Sequence, residues 1–354
     1  MRKYYFTTFF LISLVTIVSC NATRNIEIST MEPAPVTLSR NIKRVGIIGG
    51  EVHVKEDNER TGLNLLISRE NQQLALKAKD AAITGLFDEL SSDKRFDTII
   101  LLEDIVQNGE DLQNYGNYLN WDTVESLCRE YSVDAIFSMA YYESDTRVFL
   151  KKTTMEQPNL VRIKTKVSAQ QITLETLIEN GWRIYDSSSK LLIDEFTFNN
   201  QIVSTAKGLR PYEALQAIEG RTESILEQGK NTGSSYGSRL HPYEHSVTRD
   251  YYVRGTPGFE QAEVFTLTGD WDAAEDLWKK EAENPDSKIS GKACYNLAVL
   301  NERNKRLADA MEWATMAYSK YKTKKLGAYI EALKSRQSKN QIILLQQTES
   351  FSSR

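Results

Sequence analysis

The chain has 354 residues, 40% apolar and 26% charged, which is enough for a sizeable core and about two domains. A net charge of −4 provides no electrostatic footprint for nucleic acid, so no nucleic-acid partner is expected. Past the first 20 residues, no stretch is long and apolar enough to span a membrane.

Arg2 and Lys3 are followed by an almost wholly apolar run, Tyr4 to Val18, and then by Ser19 and Cys20. A charged start, an apolar core and a small residue in that order predict a signal peptide over 1–19. Ile17-Val-Ser-Cys20 resembles the lipobox of bacterial lipoproteins. The resemblance implies that Cys20 becomes the N-terminus and carries the lipid, with more than one acyl chain, as stable anchoring requires. It also implies an envelope location. Asn21 in place of Asp points to the outer membrane, on its periplasmic side.

Asn21–Asn25 reads as a short polar tether, and Ile26–Val36 as a strand confined to an edge by Pro33 and Pro35. Arg44–Ile48 is a buried strand ending in Gly49-Gly50, and 51–69 is a long loop. Gln72–Leu90 carries Leu74, Ala78, Ala82, Leu86 and Leu90 four apart, which predicts a helix. A strand over Asp97–Leu102, a polar loop over 103–120, a helix over Trp121–Tyr131 and a strand over Asp134–Tyr142 follow. Then the pattern becomes a meander. Ile163–Ala169 and Ile172–Ile178 alternate in opposite phase, which predicts a bulge at Gln170-Gln171. Trp182–Tyr185 and Leu191–Phe198 flank a hairpin turn at Asp186–Lys190, Tyr212–Leu226 is a helix, and Thr248–Val253 returns a last strand to the sheet.

This order predicts a mixed sheet with helices on one face. With Arg44–Ile48, Arg95-Phe-Asp97 and Val133-Asp-Ala135 as its matching pieces, the layout resembles the small α/β domain of the curli-export lipoprotein and of the Tol-system β-propeller protein.

After Thr256-Pro-Gly258, the residues Ala262, Phe265, Gly269, Trp271, Ala274 and Trp278 fall at helical-hairpin spacing. Ala298, Ala310 and Ala317 repeat the theme, and Ala262/Ala298 and Ala274/Ala310 keep one separation. The pattern resembles the tetratricopeptide repeat, in which small residues let two helices approach and aromatics fill the space between them. Lys325–Gln346 then reads as a capping helix. Polar residues on the first helix of each unit, namely Gln261, Glu263, Asn301 and Glu302, are the expected partner contacts.

Catalytic signatures are missing. Gly46-Ile-Ile-Gly49-Gly50 matches no phosphate-binding glycine pattern, and neither G-x-S-x-G nor H-E-x-x-H occurs. His241 and His245 bracket Pro242 with no Cys nearby, so no metal is expected. Cys128 and Cys294 read as small buried hydrophobes. Glu103-Asp104 and Glu110-Asp111 could act on a glycan but read as a solvated loop.

The whole chain resembles an uncharacterised family of bacterial lipoproteins that joins a lipobox, an α/β domain and tetratricopeptide helices. Met31–Val36 and Arg249-Asp-Tyr-Tyr252 carry that resemblance. The expected class is α+β: signal peptide 1–19, α/β domain 20–255, helical repeats 256–346, and a tail 347–354. The expected function is a non-enzymatic, cofactor-free envelope scaffold that binds a protein or peptide. The alternative is a lipid-anchored glycan- or ligand-binding protein, or a hydrolase, using loops 51–69 and 103–120.

Overall fold

The structure is a computed structural model and describes residues 22–55, 62–102, 118–159 and 162–351. The class is α+β, as expected, with strands and helices over 23–252 and helices alone from residue 257. Two compact units form: residues 34–241, and the first strand together with residues 242–347.

In the unit 34–241, β2 (Arg44–Ile48), β3 (Glu51–Lys55), β4 (Thr98–Leu101), β5 (Ala135–Pro158), β6 (Lys164–Asp186) and β7 (Leu191–Gly208) build one sheet in the order β4-β2-β5-β6-β7. β2 pairs parallel with β4 and β5, and β5, β6 and β7 are antiparallel. β3 continues along β5 in the register of β2, from Ile48 opposite Ser138 to Glu51 opposite Tyr141. Residues 51–55 are therefore strand where a loop was expected. Gly50 permits the passage, because a Cβ there would stand 2.3 Å from the Met139 carbonyl oxygen.

Helices α1 (Gly62–Ser92), α2 (Trp121–Glu130), α3 (Pro211–Gln216) and α4 (Arg221–Ser238) cover the sheet. Val45, Ile47, Phe137 and Trp182 pack with α1 and α4, whereas Ile48, Ile136 and Tyr185 pack with Val124, Leu127 and Cys128 of α2. Both faces are thus covered, not one, because successive residues of a buried parallel strand point to opposite sides.

The expected strand over 134–142 and the four meander segments after it are parts of three long strands, β5, β6 and β7. No register shift occurs at Gln170-Gln171; the shifts fall at Met139/Tyr141 and Ile184/Tyr185. Opposite Gln170, β7 ends at Gly208, so residues 164–169 pair with β5 alone. The change of phase marks the end of the covered sheet. The predicted helix 212–226 is split at Gly220, which has φ +71°, and α4 runs on to Ser238.

α1 and α4 touch backbone to backbone. A Cβ at Gly233 would stand 1.8 Å from the Ala82 carbonyl oxygen, and one at Gly229 2.4 Å from that of Ala78. One at Gly85 would stand 2.1 Å from the Lys230 oxygen.

In the other unit, β1 (Thr23–Glu32) and β8 (Tyr243–Tyr252) form a separate antiparallel ribbon. The expected return of 248–253 to the main sheet does not occur. The helices are α5 (Pro257–Thr268), α6 (Trp271–Ala282), α7 (Ser287–Arg303), α8 (Leu307–Lys320) and α9 (Lys324–Phe351). Thr256, Asp270 and Asp286 cap α5, α6 and α7 through their side-chain oxygens. Ala262, Ala274, Ala298, Ala310, Ala317 and Trp278 are fully buried, and Phe265 and Trp271 are half-buried against them.

Gly269 does not pack; it is exposed, and at φ +84° it closes α5. Lys305, the equivalent position after α7, also takes a positive φ of 62°. The same closing bond follows each, Asp270 N to Phe265 O and Arg306 N to Asn301 O, both 2.9 Å. No helix among the described residues is long and apolar enough to cross a membrane.

Candidate functional site

The face expected to receive a partner is occupied by the chain itself. A two-stranded ribbon is marginal alone in water. Here β8 lies against the first helix of each helical pair and against α9, and consecutive residues reach different partners.

Arg249 places Nε 2.9 Å and Nη2 3.0 Å from the two carboxylate oxygens of Glu302 on α7. Arg336 of α9 donates to the same carboxylate at 2.5 Å, and the Tyr329 hydroxyl donates at 2.9 Å. Glu302 is 0% exposed, so a buried charge is met by two guanidiniums and a phenol.

Asp250 accepts from the Tyr295 hydroxyl at 3.1 Å and from Lys325. Tyr251 shares a 3.0 Å hydrogen bond with Thr266, and its ring meets those of Trp271 and Trp278 edge-on at 5.9 Å. At Tyr252 the partner is the strand backbone: its N–H donates to Asn296 Oδ1, and its carbonyl accepts from Asn296 Nδ2, both at 2.7 Å. The amide of one buried asparagine does what a third strand would do.

Glu263 on α5 is held by Arg24 of β1 and by Arg254. The Arg24 bond, followed by that of Arg254, keeps its carboxyl below the usual range.

Glu263, Asn301 and Glu302 were expected on an exposed face. They are 8%, 3% and 0% exposed. The physical reason is the ribbon, which covers Glu263 and Glu302, while the Asn301 amide donates to the Leu297 carbonyl at 2.7 Å within α7. Gln261 alone of the four is exposed, on α5 beside Val264 and Leu267, which are 57% and 61% exposed. The Arg249–Tyr252 run was visible in the sequence. Its role was not, because a strand that pairs with only one other reads like any sheet strand.

Cys20, the acidic pairs at 103–104 and 110–111, and most of loop 103–120 lie outside the described residues. His241 and His245 fall in different units. Among the described residues no group of three His, Cys, Asp or Glu side chains could hold a metal. Cys128 and Cys294 are buried and free, and burial pushes both thiols up.

A polar cleft of about 400 Å³ opens on the sheet over β3, β5, β6 and β7, lined by Lys55, Glu143, Asp145, Arg147, Glu179 and Asn199. Its carboxylates have partners: Glu143 takes Lys55, Asp145 faces Arg147 at 3.7 Å, and Glu179 accepts from Tyr141 at 2.6 Å.

Among known families, residues 260–343 match the model described as Domain of unknown function (DUF6340), and residues 42–252 match Domain of unknown function (DUF8603). No curated protein matches the chain. Among solved structures, it is similar to a neuraminyllactose-binding hemagglutinin homolog from Helicobacter pylori. That likeness has 11% identity and a TM-score of 0.28, over 57% of this chain and 83% of that one. It is also similar to the PelC dodecamer from Paraburkholderia phytofirmans, with 9% identity and a TM-score of 0.23, over 60% and 96% of the two chains. Likenesses this faint assign neither ligand nor assembly. The match over residues 42–252 covers more than half of the chain, and the protein belongs to the family described as Domain of unknown function (DUF8603).

Proposed function

We propose that the protein is a non-enzymatic lipoprotein of the cell envelope, anchored through a lipid on Cys20 at the periplasmic side of the outer membrane. Its tetratricopeptide-like helices form a scaffold that holds the anchored end of the chain and offers its outer surface to an envelope protein. The observation that carries this reading is the seating of β8 on α5, α7 and α9. Helices that bind an extended strand through an asparagine–backbone pair and buried ion pairs are built for strand binding, and here the strand is the chain's own. β1 begins at Thr23, three residues after Cys20, so the expected tether is shorter than the sequence suggests. A partner then meets the exposed stripe Gln261, Val264 and Leu267 instead of the occupied face.

Crosslinking in the native envelope, read by mass spectrometry, tests this. One partner captured by the wild type and lost in Val264→Glu/Leu267→Glu supports the scaffold. Equal capture by both overturns the stripe as the contact. Point variants serve better than deleting the helices, which would strip β8 of its partners.

A second reading, a lipid-anchored ligand- or glycan-binding protein, is favoured by the polar cleft over Lys55, Glu143 and Glu179. Titration with neutral saccharides, followed by thermal shift in the wild type and in Glu143→Gln/Glu179→Gln, separates it from the first.

A further inference from the structure

The segment after Cys20 enters the helical unit at one defined end. The Ala22 carbonyl accepts from Val253 N at 3.0 Å, and Thr23 pairs with Tyr252. Ala22, the first described residue, thus lies at this end.

The surface around Tyr252 is cationic although the whole chain carries a net charge of −4. The ammonium groups of Lys292 and Lys325 stand 5.1 and 4.9 Å from the Tyr252 ring centre, and that of Lys288 stands 6.0 Å from the Tyr321 ring. Lys322 and Lys324 are exposed where α8 passes into α9. Lys325 pairs with Asp250. Among the described residues, Lys288, Lys292, Lys322 and Lys324 have no carboxylate partner. Asp286 is close, but its carboxylate accepts from the Lys288 and Ile289 amides to cap α7. Burial, and then the neighbouring Lys288, push the Lys292 ammonium down, against a smaller opposing pull from Asp286.

We propose that this end of the helical unit rests on an anionic lipid bilayer, with Lys288, Lys292, Lys322 and Lys324 against the headgroup phosphates. The orientation rests on the reading of Cys20 as the lipid-bearing residue, because anchor and cations then share one end. The cationic surface itself does not rest on it. Each lysine near such a surface contributes about five-fold in affinity, and the effect is screened by salt.

The test reconstitutes the full-length protein into vesicles of phosphatidylcholine with and without 30% phosphatidylglycerol. Lysine acetylation is followed by mass spectrometry, with Lys77 and Lys94 of the other unit as exposed references. The expected result is slowing of about five-fold or more at Lys288, Lys292, Lys322 and Lys324 on anionic vesicles only. It is reversed by high salt and lost at Lys288 and Lys292 in Lys322→Glu/Lys324→Glu. Equal rates on both vesicle types overturn the proposal. The mass of the N-terminal peptide, read in the same experiment, decides the anchor separately. A lipidated Cys20 with unprotected lysines retains the anchor and removes the surface. Protected lysines without the lipid do the reverse.

Discussion

Gly233→Ala is expected to loosen the unit 34–241, against the usual preference of helices for alanine. In an open helix the change would stabilise by about 1 kcal/mol. Here the new Cβ would sit 1.8 Å from the Ala82 carbonyl oxygen and 2.7 Å from the Leu86 amide nitrogen. An ordinary carbon–oxygen contact needs about 3.3 Å, so the helices must part by roughly 1.5 Å. Both obstacles are backbone, so no side-chain rotation relieves them. Parting the helices also withdraws Ala78, Ala82 and Leu86 from contacts in which each is 0% exposed. Overpacking of this kind costs about 1–3 kcal/mol, and the lost dispersion adds to it. The expected net loss is about 2–4 kcal/mol, or roughly 4–16 °C in the melting of a unit this size. Trp182, stacked on Tyr236 of α4 with ring centres 5.2 Å apart, reports the event by near-ultraviolet circular dichroism. Peptides covering 74–90 and 225–238 report it by hydrogen exchange. A variant as stable as the wild type, or more stable, would refute direct backbone contact between α1 and α4.

Three further outcomes follow from the helical unit. Glu302→Ala leaves the half-buried Arg249 and Arg336 without their anion and should cost about 3 kcal/mol, seen as faster amide exchange over 243–252. Glu263 has a folded pKa held below its unfolded value. Its stabilising contribution is therefore complete above about pH 4.5 and is lost as pH falls through the lower folded value. Exchange over β1 should rise in that acidic window in the wild type and show no such step in Glu263→Gln. Lys305→Gly removes a side chain from a left-handed position and should raise the melting temperature of the helical unit, by about 1 kcal/mol in stability.

Much of the fold was legible where local periodicity and global burial agree. The stripe from Leu74 to Leu90 announced α1, the run Arg44–Ile48 announced a buried strand, and the alanine spacing from Ala262 to Ala317 announced the packed helices. Three features were not legible. Gly229, Gly233 and Gly237 look like helix breakers in isolation, and only a facing helix with Ala78, Ala82 and Gly85 turns them into a contact surface. The phase change near Gln170 looked like a bulge, because a sequence does not show that the neighbouring strand has ended. Glu263, Asn301 and Glu302 looked like a solvated polar face. The cationic partners of Glu263 (Arg24 and Arg254) and of Glu302 (Arg249 and Arg336) are distributed along the chain, and such pairing leaves no local pattern.

The helices hold β8 through the Asn296 amide on Tyr252 and the Glu302 carboxylate on Arg249. Hydrogen exchange of the full-length protein over residues 243–252 tests it most directly. Protection comparable to that of α7, with the Tyr252 amide released in Asn296→Ala, is the predicted result. Exchange as fast as that of an exposed hairpin, unchanged by Asn296→Ala, would mean that β8 is not held by the helices.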